Sequence, residues 1–230
     1  MTDAKTLRRH KYRLQNRCRA NKLTVEPHFN WRTARLGQPA IVTLKRYQKF
    51  VGIQQTGYFD GRTLDALYPS RFRKRIAAKA LSQVGVHEWP AGSNAGPVMK
   101  FIEPFIGHVR TAWCALFGAW SGWQASFPKD AFWKDVAWVD SWEREAKDPA
   151  NKHVTKIGKL QAGRGDFGLE DWEHDGNPDH LVVVTWKVGP VAVVHTVEGN
   201  VGDYGGSVTK KIRLVTQTHC FIRLNRYTKR

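Results

Sequence analysis

Cysteine is scarce in this chain of 230 residues: Cys18, Cys114 and Cys220 are its three thiols. An odd count with no CxxC pair excludes a disulfide framework and a Cys-rich zinc site, and implies thiols that stay reduced. Long apolar runs are missing too. The opening MTDAKTLRRHKYRLQNRCRANKL has no apolar h-region, so no secretory signal is expected. The longest nearly apolar stretch, residues 112–123, is too short for a membrane span. A soluble protein made in a cytoplasm fits these absences, and a target beyond the membrane would require separate release. HExxH is absent, and His174, His180 and His195 lack a usual ligand spacing, so neither metal nor cofactor is expected.

Acidic residues are rare in the first third. Residues 1–80 carry 19 Lys+Arg against 4 Asp+Glu, whereas residues 81–230 carry 18 against 16. The formal net charge of +17 therefore belongs almost entirely to the N-terminal third. Unless it serves solubility alone, such a surface docks on a polyanion: nucleic acid, anionic lipid or the anionic polymers of a Gram-positive wall.

What is present suffices for one ordinary domain and a small one: 41% hydrophobic residues and ten Trp. Helical spacing predicts a basic helix over 4–22, with Leu7, Leu14 and Cys18 on one stripe. A second helix starts at Pro39, with Ile41, Leu44, Gln48 and Val51 near one face and Gly52 at its end. RTLDALY forms a short helix closed by Pro69. Residues 72–85 form another, burying Ile76, Ala77, Ala80, Leu81 and Val84, with Gly85 as its C′ residue. The domain boundary falls near Pro69–Arg73. After the helix that holds Cys114, the Trp-rich segment 132–142 reads as helical. From Gly165 onward GDFGLEDW, HLVVVTW, VAVVHTVEGN, SVTKKIRLV and CFIRLN are β-branched runs broken by Gly, Asn and Pro. Helices followed by strands predict an α+β domain with an antiparallel sheet. There are no repeats.

The segment TAWCALFGAW raises the chemical question. With Thr111 as N-cap, Cys114 sits in the first helical turn, where the helix terminus favours thiolate. Gly118 and Gly122 allow close packing against that helix. The alternative is a buried structural cysteine. A nucleophilic thiol needs a base, and His180, at the mouth of HLVVVTW, is the best candidate among nine His. If Val188–Pro190 is a three-residue hairpin loop, Lys187 faces Val191 and His180 stands opposite Glu198, with Asn200 two residues on and His195 on the other face. A two- or four-residue loop moves Glu198 to the other face. Under the first register a thiol, an imidazole and a group that fixes its tautomer converge, as a cysteine hydrolase requires. The bland alternative leaves His180 capping a strand and Glu198 as a solvated edge charge.

AWCALFGAWSGW, GRGDFGLEDW…PDHLVVV and HTVEGN, in that order, resemble the CHAP domain, the cysteine- and histidine-dependent amidohydrolases/peptidases. The resemblance covers residues 73–225. It implies a papain-like fold with Cys114 as nucleophile, His180 as general base and later acid, Glu198 as the group that orients the imidazolium, and Asn200 as support for the site or the oxyanion. Some members bind calcium through acidic residues upstream of the cysteine; FIGHVRTA has none, so calcium is not inferred. Asp166 is expected to shape a turn, and the loop GVHEWPAGSN, with Glu88 and Asn94, either lines the cleft or serves helix capping and turn formation. Trp113, Trp120, Trp123, Trp133 and Trp138 are expected mostly in the core, with one or two bordering a sugar-stacking groove.

LKRYQKFVGIQQTGYFDGRTLDALYP, residues 44–69, resembles the type-1 peptidoglycan-binding domain, a small three-helix module, with Gly57, Asp60, Thr63, Ala66 and Leu67 matching its frame. The expected organisation is a basic arm (1–35), a binding module (36–70) and a CHAP-like catalytic domain (73–230). The resemblances imply a phage endolysin that reaches the wall from the host cytoplasm. It would cleave peptidoglycan at the N-acetylmuramoyl-L-alanine amide or at a stem or bridge peptide bond. It would bind anionic wall polymers without membrane insertion and nucleic acid only non-specifically. A basic wall- or nucleic-acid-binding protein without catalysis is the rival.

Overall fold

The computed structural model describes residues 3–33, 35–50, 53–60, 63–64, 67–188, 193–202 and 206–225. The chain divides into two compact units, the first running to Arg71 and the second spanning Phe72–Arg226. Among the described residues no helix is long and apolar enough to cross a membrane.

The first unit is built on α1 (Ala4–Ala20), capped by the Asp3 carboxylate, and α2 (Gln38–Phe50). Residues 1–35 were expected to stand apart as an arm. Instead, α1 packs on α2, and Leu14, Cys18, Leu44, Tyr47 and Leu67 form one core. The basic face of α1 is also less solvated than its composition suggests. Lys11 is buried, its Nζ donating to Thr33 Oγ1 at 2.6 Å and to the Arg35 carbonyl at 3.0 Å, while His10 Nδ1 lies 3.0 Å from the Tyr68 hydroxyl. These partners are what make such burial tolerable.

The motif of the small module becomes a hydrogen-bond cluster. Buried Gln48 accepts from the Gly57 amide at 2.8 Å, and its own amide reaches Thr56 Oγ1, the Tyr58 carbonyl and Thr63 Oγ1 at 2.8–3.0 Å. Asp60 accepts from the Thr63 amide at 2.7 Å as an N-cap does. Gly57 has φ +73°, and a Cβ there would meet Ile41 Cγ2 at 2.9 Å, so glycine is required. Val51, Gly52 and Ala66 lie outside the described residues, as does part of the RTLDALY helix.

The second unit is α+β. It contains most of α3 (Pro69–Leu81), then α4 (Met99–Ile106), α5 (Cys114–Gln124) and α6 (Val139–Lys147), followed by β1 (Val154–Ile157), β2 (Phe167–Glu170), β3 (His180–Val188), β4 (Val193–Val201), β5 (Ser207–Leu214) and β6 (Cys220–Leu224). The six strands form one antiparallel sheet in the order β1-β6-β2-β3-β4-β5. Helix α5 packs on β3 and β4 with α4 beside it, and α6 packs on β1 and β6.

The main core lies between these layers. Phe101 stacks on Trp113 at 5.4 Å and meets Phe117 and Trp120 edge-on. α5 can sit close to the sheet because Gly118 faces Leu181, where a Cβ would come within 2.4 Å, and Gly199 of β4 takes the Trp113 and Phe117 rings. Close approach at Gly118 is thus to side chains of the sheet.

Several helical expectations are revised. α3 stops at Leu81, leaving Val84 40% exposed and Gly85 beyond the helix, where its amide bonds the Val208 carbonyl. The Trp-rich segment is mostly turns, with helix only from Val139, and Trp138 is exposed. Strand β1 escaped the sequence analysis because VTKI is short and polar on one side. Asp166 does more than shape a turn: wholly buried, it accepts from the Gly163 amide and, at 2.8 Å on each oxygen, from Arg223.

Candidate active site

Cys114 is the first residue of α5, with Trp113 as N-cap. The expected start at Thr111 therefore moves two residues along, and the thiol stands at the very end of the helix. The first amides of the helix have no i−4 carbonyl within it, and the N-cap side chain accepts from none of them. Trp113 is fixed by its indole N–H, which donates to Glu88 Oε1 at 2.8 Å; the Asn94 amide donates to Glu88 Oε2 at 3.1 Å. The GVHEWPAGSN loop thus locks the start of α5.

His180 opens β3 and Glu198 lies near the end of β4, and both are buried. Their Nε2 and Oε2 atoms are 3.2 Å apart. The route to this contact differs from the expected one. Val188 belongs to β3 and pairs with Val193, Lys187 pairs with Val194, and Gly189 and Pro190 lie outside the described residues. Continued unchanged, that register would put Glu198 on the wrong face. A bulge at Thr185 adds one residue to β3, after which Val184 pairs with Thr196 and Val182 with Glu198. The two side chains then share a face and meet diagonally, while Glu170 of β2 is the residue directly across from His180. His195 pairs with Trp186 and takes no part.

The thiol is buried, its Sγ 4.0 Å from the Asp179 carbonyl. Burial pushes its pKa up, but hydrogen bonding and the positive charge of His180, aided by the Leu181 and Ala115 amides, bring it below the ordinary thiol value. The opposite holds for His180: burial pulls down, but Cys114 and Glu198 together raise it to about 9. Burial would also raise Glu198, yet His180, Arg213 and Thr196 hold it down at about 2. With Nε2 turned to the carboxylate, Nδ1 is the nitrogen left for the thiol. Thiol, imidazole and carboxylate thus stand in one line, an arrangement in which an imidazolium would stabilise a thiolate.

No protein-family model, curated protein or solved structure matches this chain. Its chemistry therefore rests on the residues themselves.

Asn200 sits where β4 is irregular, with φ +61°, and its Oδ1 lies toward Gly206 and the Glu88 corner. Among the described residues it makes no hydrogen bond to His180, whose carboxylate partner is Glu198. The sequence analysis missed two members of the site. Trp172 stacks on the His180 ring at 4.4 Å and 22°, and Arg213 donates to both oxygens of Glu198 at 2.9 and 2.6 Å. Trp172 closes the GDFGLEDW motif but carries no role in it, and Arg213 lies outside the motifs, in the positive run KKIR.

A second group, Glu143, His219 and Cys220, brings one donor atom each within 4.8 Å of the others. Its Glu143 is already matched by Lys156 at 2.8 Å and Lys147 at 2.9 Å. Burial and the Glu143 carboxylate push the Cys220 thiol up to about 12. The donor set fits an ion-pair hub better than a metal centre.

Proposed function

We propose that the second unit is a CHAP-type, papain-like cysteine hydrolase that cuts an amide bond of peptidoglycan, the N-acetylmuramoyl-L-alanine bond being favoured. The observation that carries this reading is the line from the Cys114 thiol, at the first turn of α5, through His180 to Glu198. The order of the four motifs along the chain supports it as well. In this mechanism the Cys114 thiolate attacks the carbonyl carbon, and the amides that open α5 receive the oxyanion. The imidazolium of His180 gives its proton to the departing amine. Water, deprotonated by the same imidazole, then cleaves the thioester. Glu198 holds the ring and its charge in place throughout.

The first unit acts as the wall anchor in this reading. It carries the basic excess, and the Gln48–Gly57–Thr63 cluster lies within the stretch that resembles the peptidoglycan-binding module. Holding the enzyme on its polymer raises local substrate concentration.

Mass spectrometry of fragments released from purified Gram-positive walls tests the proposal, with wild type beside Cys114→Ala. Stem peptides with a free N-terminal L-Ala, from wild type alone, establish the amidase. New termini inside the stem or bridge establish an endopeptidase with the same machinery. Release that persists in Cys114→Ala, or none from any wall, overturns the reading.

A further inference from the structure

Glu198 has more partners than a His-orienting carboxylate needs. Its Oε1 accepts from Arg213 Nε at 2.9 Å and from Thr196 Oγ1 at 2.5 Å; its Oε2 accepts from Arg213 Nη2 at 2.6 Å and faces His180. Arg213 comes from β5, one strand beyond Glu198, and its guanidinium also lies 5.9 Å from the centroid of Trp172. Trp172 stacks on His180. The contacts thus run His180–Glu198–Arg213–Trp172 and back to His180. The loop that carries Trp172 is pinned at the other end of the site: Asp179 Oδ2 accepts from the Trp172 amide at 2.7 Å, and the Asp179 carbonyl faces Cys114.

We infer that Arg213 is a positioning residue for the Cys114–His180 pair, clamping Glu198 from β5 and closing, with Trp172, a ring of contacts around the imidazole. The physical reason is charge balance as much as geometry. The titratable and charged groups around the imidazole are Cys114 from α5, Glu170 from β2, Glu198 from β4, Arg213 from β5 and Asp179 from the loop. Glu170 is buried, bonded to Thr218 Oγ1 at 3.0 Å, and burial pushes it toward the neutral acid. Arg213 is therefore the fixed positive charge that offsets Glu198. A two-pronged guanidinium on a carboxylate also restricts its rotation, and the indole face keeps water from one side of the imidazole.

Loss of this cation leaves a carboxylate uncompensated beside the reacting pair. Extra negative charge raises the proton affinity of both Cys114 and His180, so the whole pH window of the ion pair moves upward. A merely structural arginine would reduce the amount of folded protein without moving that window.

The inference rests on the reading of Cys114 and His180 as a reacting pair, and its test reads that pair without substrate. In the full chain, the rate of Cys114 alkylation by iodoacetamide and the thiolate ultraviolet absorbance, less that of Cys114→Ser, are followed against pH. Arg213→Met should shift the acid limb upward by about one unit, and Arg213→Lys should return it most of the way. A folded Arg213→Met with wild-type limbs overturns the role of Arg213 alone, whereas wild type without any low-pH thiolate overturns the hydrolase mechanism. If Arg213→Met fails to fold, Trp172→Ala, at a half-exposed position, tests the ring. Diethyl pyrocarbonate should modify His180 several-fold faster in that variant, and an unchanged rate overturns the closure.

Discussion

The second unit gathers cysteine, histidine and glutamate twice, and the two gatherings differ in who stands in the middle. In the first, His180 lies between Cys114 and Glu198, so the thiol sees a cation and its pKa falls. In the second, Glu143 is the hub. It meets His219 at 3.2 Å, Lys156 at 2.8 Å and Lys147 at 2.9 Å, while burial, reinforced by the carboxylate, pushes Cys220 up to about 12. In each group burial would raise the glutamate, and its cationic partners bring it down to about 2. The carboxylates are thus alike and the thiols opposite. Residue type does not set thiol reactivity: burial raises both thiols, and only at Cys114 does a neighbouring cation outweigh it.

Four experiments bear on this contrast. The largest effect is expected at Cys114, the proposed nucleophile: Cys114→Ala should lower wall hydrolysis by on the order of 10⁴-fold. Cys220→Ala should leave hydrolysis within a few-fold and cost about 1 kcal/mol of stability, as followed by turbidity loss and urea unfolding. Next, His180→Ala should reduce turnover by about 10²–10⁴-fold, while His219→Ala leaves turnover near wild type. Equal losses would erase the distinction between the clusters. Third, iodoacetamide at neutral pH should modify Cys114 at least ~10-fold faster than Cys18 or Cys220, as peptide mapping would show. Burial pushes Cys18 also up to about 12.

The smallest effect is on acid stability. A carboxylate with its folded pKa lowered from 4.5 to about 2 contributes stability above pH 4.5, and that contribution fades as pH falls toward 2. Glu143→Gln should therefore melt a few degrees below wild type near pH 6, with the gap closing by pH 2. His180 has the reverse sign. Raised from 6.5 to about 9, it stabilises fully below 6.5 and loses that contribution as pH rises through 9.

Much of the site was legible because its signals are local. Cys114 sits among apolar residues that must form a buried helix, and β-branched runs bounded by turn residues mark β2 to β6. In the first unit Gln48, Gly57, Asp60 and Thr63 lie within 16 positions, so their cluster is written in a short stretch. The placement of Lys11 was not legible, since its acceptors come from residues 33–35 on another segment.

By itself the sequence determined the α+β order and the concentration of charge in the first third, and it singled out Cys114, His180 and Glu198 as candidates. The first two follow from composition and from periods of 2 or 3.6, which near neighbours decide, whereas the candidates rested on an assumed hairpin register and a family resemblance. Only the tertiary structure decided how that set meets. The bulge at Thr185 returns Glu198 to the face of His180, and Arg213 and Trp172 arrive from a neighbouring strand and a loop. A bulge is one residue of register, invisible to alternation patterns, yet it reverses every side chain beyond it.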